Sequence, residues 1–331
     1  MTLKEISVGL ALGLLGWVSL SSGALPSALS SSPQYPERPV RLVVPYAAGA
    51  MGDVVSRLLA EDLRPRLGQP VIVDNRTGAG GNIGTAAVAN AEPDGYTVLV
   101  GATNNFVINQ FLYRDLGFDP LEKLVAVTIL VDVPSVIFLS ASMPRRLDEF
   151  IRHAKASKGK LNYGSPGAGT TPHLSAELIS RTRGLGMAHI PFKGSSPGIS
   201  ALLADQVQFY MGGAGLGLQH VRAGKLHAVA VSAPKRLDTL PETPTFAEAG
   251  LGDIKASNWW GVAVPKGTPP QVVQRLYSAF RESLATPLAK ERFEKLSVTA
   301  LGTTPAETAR RFQEEAGYWG KVVREFEIRI D

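Results

Sequence analysis

The chain has 331 residues, 44% hydrophobic and 19% charged, which is a globular composition rather than a disordered or fibrous one. At roughly 100–200 residues per domain, two domains are expected. Zero cysteines exclude a disulfide scaffold, thiol catalysis, an iron–sulfur cluster, a cysteine zinc site and a lipid-modified N-terminal cysteine. The balance of 34 basic and 29 acidic residues, a net +5, is too small a surplus to announce a nucleic-acid partner.

After Lys4 and Glu5 no charge occurs until Glu37. Within that gap Ile6 to Leu20 is predominantly apolar, and the small residues Ser21-Ser22-Gly23-Ala24 follow. This pattern predicts a secretory signal peptide over residues 1–30, ending at Ala24 or Ala28. The apolar stretch is shorter than the about 20 residues a spanning helix needs, so the mature protein is expected to be exported and soluble.

Past a Ser/Pro linker the chain alternates strand, glycine loop and helix. Val40 to Val44 reads as a buried strand, Ala47 to Gly52 as a loop, and Asp53 as the cap of a helix with apolar positions at Val54, Val55, Leu58, Leu59 and Leu63. Strand 71–73, loop 75–81 and helix 82–91 follow, then strand 96–100 and loop 101–104 before another helix. Strand 161–165 leads through loop 166–171 to a helix starting at Pro172; strand 188–192 leads through 193–196 to a helix starting at Pro197. Strands 207–211 and 228–231 complete a second sheet, and amphipathic helices at 270–282 and 305–325 close the chain, with a shorter one between. The rhythm predicts an α/β fold with mostly parallel sheets. Ile129 to Leu139 and Trp259 to Val264 are candidate crossing strands, so one lobe is expected at 36–134 plus 258–331 and the other at 135–257.

Ligands of open α/β sheets sit at the carboxyl ends of the strands. A glycine loop exposes N–H groups there, and the following helix N-terminus adds partial positive charge, which together make an anion site. The loops 46–53, 101–104, 164–171 and 193–196 offer this geometry. Any one of them can be only a tight turn; four shared between two lobes point to a cleft that closes on an anion.

Rival chemistries fail on single residues. Gly78-Ala79-Gly80-Gly81-Asn82-Ile83-Gly84 resembles a dinucleotide fingerprint but has Ile83 where glycine is required, and no Gly-Lys pair has the glycine a P-loop needs. Gly194-Ser195-Ser196-Pro197-Gly198 fits a hydrolase nucleophile elbow, with Asp205 and His220 or His227 in triad order. Pro197, however, lacks the N–H that an oxyanion hole takes from the residue after the nucleophile. The five histidines show no paired metal-ligand spacing, and the basic run from Arg152 to Lys160 reads as a solvated helix face.

Several segments carry a resemblance. YPERPVRLVVPYAAG, LGQPVIVDNRTGAGGNIGTAAVANAEPDGYTVLVG, GKLNYGSPGAGTTPHLSAEL, HIPFKGSSP, LPETPTFAEAG and SNWWGVAVPKGTP, from about Tyr35 to Ile328, are similar to the extracytoplasmic solute receptors of tripartite tricarboxylate transporters, the Bug-type periplasmic binding proteins. The resemblance implies a two-lobed, type II periplasmic-binding-protein fold closing over a carboxylate in the periplasm, with no catalysis, no cofactor and no metal. It implies ligand contacts from Tyr46, Ala47, Ala48, Gly49 and Asp53 in the first loop and from Thr103 and Asn104 in the third. From the second lobe it implies Ser165, Gly169, Thr170, Thr171, His173, Lys193, Gly194 and Gly212. Such a receptor, expected as a monomer, hands its ligand to a membrane permease; some members are thought instead to serve regulatory systems as ligand-dependent sensor partners.

Two departures from the family pattern bear on the ligand. Gly49-Ala50 replaces a double glycine, with Gly52 displaced next to Asp53, and the strand from Val207 ends in Gly212-Gly213 where an acidic residue is usual. Missing charge and extra room at 212–215 predict a di- or aromatic carboxylate without an amino group, unless Asp53, Asp205 or a backbone carbonyl pairs an ammonium.

Overall fold

The computed structural model describes residues 35–215 and 217–330, so the expected signal peptide lies outside the described residues. Strand β1 (Val40–Val44) buries every residue except Arg41, as a strand covered on both faces must. Helix α1 (Met51–Leu67) follows, burying Val55, Leu59 and Leu63 along one face. Then come β2 (Val71–Asn75), α2 (Asn82–Ala89) and β3 (Thr97–Ala102). The chain passes directly from β3 into three short helices, α3 (Thr103–Val107), α4 (Asn109–Leu112) and α5 (Pro120–Lys123), before the long β4 (Leu124–Val133).

Pro134 ends that strand, and β5 (Ser135–Ser140) belongs to a second sheet. There follow α6 (Leu147–Ala156), β6 (Asn162–Ser165), α7 (Thr171–Thr182), β7 (Ala188–Pro191), α8 (Ser195–Leu203), β8 (Phe209–Gly213), α9 (Leu218–Arg222) and β9 (Leu226–Val231). β10 (Asn258–Pro265) returns to the first sheet, with α10 (Pro270–Leu284), α11 (Pro287–Lys295), β11 (Thr299–Ala300) and α12 (Pro305–Glu325) after it.

The first sheet has the order β11-β4-β10-β3-β1-β2, and the second β7-β6-β8-β5-β9. The expectation of mostly parallel sheets is corrected. β1 pairs in parallel with β2 and β3, and β6 with β7 and β8, but β10 runs antiparallel to β3 and β4, and β5 antiparallel to β8 and β9. The physical reason is connectivity: the strands that carry the chain between the sheets enter against the direction of the local βαβ units. The predicted crossing segment 129–139 accordingly divides at Pro134 into two strands of different sheets.

Helix α12 ties the crossings together. Arg311 lies 3.5 Å from Asp132 on β4, whose carboxylate also accepts from the Ser257 hydroxyl just before β10. The indole N–H of buried Trp259 donates to Glu315 at 2.8 Å, and the ring stacks on Phe106 and Phe312.

Candidate functional site

The first group of candidate residues is built on β1 and β3. Tyr46 leaves the end of β1 and lays its ring edge-on to Trp260, 5.1 Å between centroids. Its hydroxyl lies 2.9 Å from Asn104 Oδ1 and 3.1 Å from Asn105 Oδ1. Burial drives the Tyr46 pKa up, against the pull of those two amides. The Nδ2 groups of Asn104, Asn105 and Asn109 reach the Gly80 carbonyl at 3.1, 3.2 and 3.2 Å, which fastens the 78–81 turn against the start of α3. Tyr46 and Asn104 are among the contacts that the family resemblance implies, whereas Asn105, Asn109 and Gly80 join them only in the structure. The adjacent Asn104-Asn105 pair was the available signal.

Ala47, Ala48 and Gly49 form an exposed turn before α1. Asp53 is not the helix cap. Ala50 occupies that position, and Asp53 sits in the first turn with its carboxylate reaching back to accept from the Gly49 N–H at 2.9 Å. Arg57 Nε donates to its other oxygen at 2.9 Å. Burial would raise this carboxyl, but hydrogen bonds from Arg57, the Gly49 N–H and Asn75 hold it below the usual carboxylate range. Thr103 is wholly buried and fully committed: Oγ1 donates to the Trp259 carbonyl at 3.1 Å and accepts the Trp259 N–H at 3.0 Å. Its hydroxyl anchors β10.

The second group of candidate residues lies on the turn between β6 and α7. Thr170, rather than Thr171, caps α7; its Oγ1 donates to the Gly167 carbonyl at 2.7 Å and accepts the His173 N–H at 3.4 Å. Thr171 is the first helical residue and Pro172 the second, one position later than expected. The Thr171 hydroxyl is buried with no partner in the protein. Ser165 is buried and bonded to Gly167 and His189, and the ring of His173 accepts the Gly169 N–H. The neighbouring turn is drawn in alongside, since Gly194 N–H donates to the Pro166 carbonyl at 2.9 Å and leaves Lys193 exposed. Helix α8 begins at Ser195, so Pro197 is its third residue rather than its first.

Gly212 does not open the site. It lies inside β8, and a Cβ there would fall 2.7 Å from the ring of Tyr210, so the space its missing side chain leaves is already filled. A Cβ on Gly169 would lie 3.1 Å from Leu112 of α4 and 2.9 Å from Ile330 of the C-terminal tail. Asp205 accepts from Ser140 and Ser142 at 2.6 and 2.8 Å, so its carboxylate is engaged by two serine hydroxyls. Among the described residues no group of three His, Asp or Glu is placed to hold a metal ion.

Two α/β sheets flanked by helices, joined by antiparallel crossing strands, define a two-lobed periplasmic-binding-protein fold. The structure of the periplasmic binding protein BugD matches with a TM-score of 0.80 at 34% identity, over 89% of this chain and 100% of that one. MatC from Rhodopseudomonas palustris with bound malate matches at 0.79 and 30% identity, over 87% and 100%. An R. palustris protein with adipate matches at 0.82 and 30% identity, over 89% and 100%. The tripartite tricarboxylate transporter family receptor model matches residues 55–328, and BugT of Bordetella pertussis is 35% identical over 89% of this chain and 91% of its own length. The chain therefore belongs to the tripartite tricarboxylate transporter receptor family, as a Bug-type member.

Proposed function

We propose that this protein is an exported periplasmic receptor that captures an organic carboxylate between lobes 36–134 plus 258–331 and 135–257, and delivers it to a tripartite tricarboxylate-type permease without chemical change. The observation that carries this reading is the N-terminus of α7. It is a twelve-residue helix with a capped first turn, and Gly169 just before it packs beside Leu112 of α4. A helix N-terminus there favours negative charge, and the Thr171 hydroxyl is a buried donor in want of an acceptor. The exposed 47–49 turn ahead of α1 supplies the opposing half, with Asn104 and Tyr46 behind it. Relatives holding malate and adipate support the ligand class.

The ligand in this reading lacks an amino group. Asp53, the carboxylate nearest in sequence to the first turn, is engaged by Gly49 and Arg57, and β8 ends in glycines. A buried ammonium left unpaired costs several kcal/mol. Titration calorimetry of the mature protein against succinate, malate, adipate, an aromatic dicarboxylate, aspartate and glutamate tests both points. Binding by one or more of the four non-amino dicarboxylates, tighter than by either amino acid, is expected. Tightest binding by aspartate or glutamate overturns the amino-free assignment, and binding of none overturns the receptor reading.

A further inference from the structure

The turn that presents α7 is held from both ends by two imidazoles stacked on each other. The rings of His173 and His189 lie 3.8 Å apart with planes at 19°, and His189 stacks in turn on Tyr163 at 4.8 Å. At one end, His173 Nδ1 accepts the Gly169 N–H at 3.1 Å. At the other, His189 Nε2 shares a hydrogen bond of 2.7 Å with Ser165 Oγ, which also bonds the Gly167 carbonyl at 3.1 Å and the Gly167 N–H at 3.3 Å. Thr170 Oγ1 closes the turn onto the same Gly167 carbonyl. A ring nitrogen that accepts an N–H carries no proton of its own, so His173 is neutral with its hydrogen on Nε2. A second proton could only go to Nδ1, where it would point at the Gly169 N–H and break that bond.

The carboxylate that α7 itself offers beside the rings is already engaged. On α7, Glu177 already accepts from the Tyr163 hydroxyl and from Arg181 Nε, each at 2.5 Å. Arg181 also donates to the Phe326 carbonyl, and Glu327 and Arg329 of the C-terminal tail line the groove beside the two histidines with Met187, Ile328 and Ile330. Tyr163 faces the pair from β6, and Glu177, Arg181, Glu327 and Arg329 are the charged groups around it. Burial pushes His173 down to about 4; burial and the neighbouring His173 push His189 down to about 3.

We infer that His173 and His189 are positioning residues for ligand capture: a stacked, neutral pair that fixes the 165–170 turn at the N-terminus of α7. The inference rests on the carboxylate-receptor reading above. If the two rings only filled space, an apolar side chain of similar size would serve equally well at 173.

Nuclear magnetic resonance on the 15N-labelled protein tests this without any ligand. The His173 Nε2–H tautomer is expected at pH 7. The protection of the Gly169 amide from exchange is expected to fall at least tenfold between pH 7 and pH 4. His173→Asn offers a side-chain oxygen near the Nδ1 position and does not titrate, so it should keep Gly169 protection within threefold and abolish that pH dependence. His173→Leu should lower protection at least tenfold at pH 7, and affinity for adipate should follow the same order across the three proteins. An Nδ1–H tautomer in the unaltered protein overturns the proposal even if the leucine variant fails to fold. Equal Gly169 protection in both variants overturns it, as does adipate affinity that ignores a measured loss of protection. Failure of adipate and of every other dicarboxylate to bind the unaltered protein overturns the receptor reading, while the exchange data still judge the histidine pair.

Discussion

The indole of Trp260 occupies the space that a side chain on Gly52 would need: a Cβ there would overlap three atoms of the ring. Gly52 adopts ordinary helical backbone in α1, so the glycine is required by this close approach and not by a turn. Trp260 in turn meets the ring of Tyr46, and through it the Asn104 amide. Gly52 therefore belongs to the packing beneath Tyr46 and the 47–49 turn.

Gly52→Ala is expected to cost about 1–3 kcal/mol, the usual range for overpacking a filled site. It should also weaken dicarboxylate binding, because Trp260 is in ring contact with Tyr46 and a shift of the indole is passed to it. Paired thermal melts and calorimetry check this; an unchanged melting temperature would remove the contact from the account.

Thr171→Val exchanges a buried, unpaired hydroxyl for a methyl group of the same shape. The protein alone should keep its melting temperature or gain slightly, since no internal hydrogen bond is lost. Dicarboxylate affinity should fall at least tenfold, as loss of a donor to a charged oxygen is worth about 1.5–3 kcal/mol. Unaltered affinity would take the hydroxyl out of the site.

Thr103→Val should behave in the opposite way. The substitution leaves both the N–H and the carbonyl of Trp259 without their buried partner. A loss of about 1–3 kcal/mol per orphaned group is expected in denaturant unfolding. The folded fraction should bind its ligand with nearly unchanged affinity, because the hydroxyl serves β10.

Acid should weaken the fold in a defined window. The folded pKa values of His173 and His189, about 4 and about 3, lie below the ordinary value near 6.5, so the unfolded chain binds more protons between these limits. The stability these neutral rings contribute is complete above about pH 6.5 and declines as pH falls toward 4 and below. Melting temperature measured from pH 7.5 to 4 should drop, and His173→Asn should flatten part of that slope. Identical slopes in the two proteins would exclude His173 as a contributor.

Local pattern made most of the elements readable. A four-residue apolar run around Arg41, the periodicity of α1, α10 and α12, and proline next to threonine at 170–172 and 304–305 are short-range signals, because strand burial, helix amphipathicity and capping act within a few residues. The capped turn before α7 was legible for the same reason. The strand directions were not. Whether β5 and β10 run with or against their neighbours depends on where the chain crosses between sheets, and the break at Pro134 acquires that meaning only in three dimensions.

The sequence by itself determined the family, the alternation of strands and helices, and the residues that can form the loops, because each is written in contiguous motifs. Tertiary structure alone decided what those residues' polar groups do. Thr103 turned out to serve Trp259, 156 positions away; Asp53 serves Gly49 and Arg57; Gly212 makes room for Tyr210; and His173 is paired with His189 across the turn it holds. A hydroxyl, carboxylate or imidazole has the same chemistry wherever it stands in the chain. Its free valences are spent on whatever the fold brings within about 3 Å, and that is set by packing between elements distant in sequence.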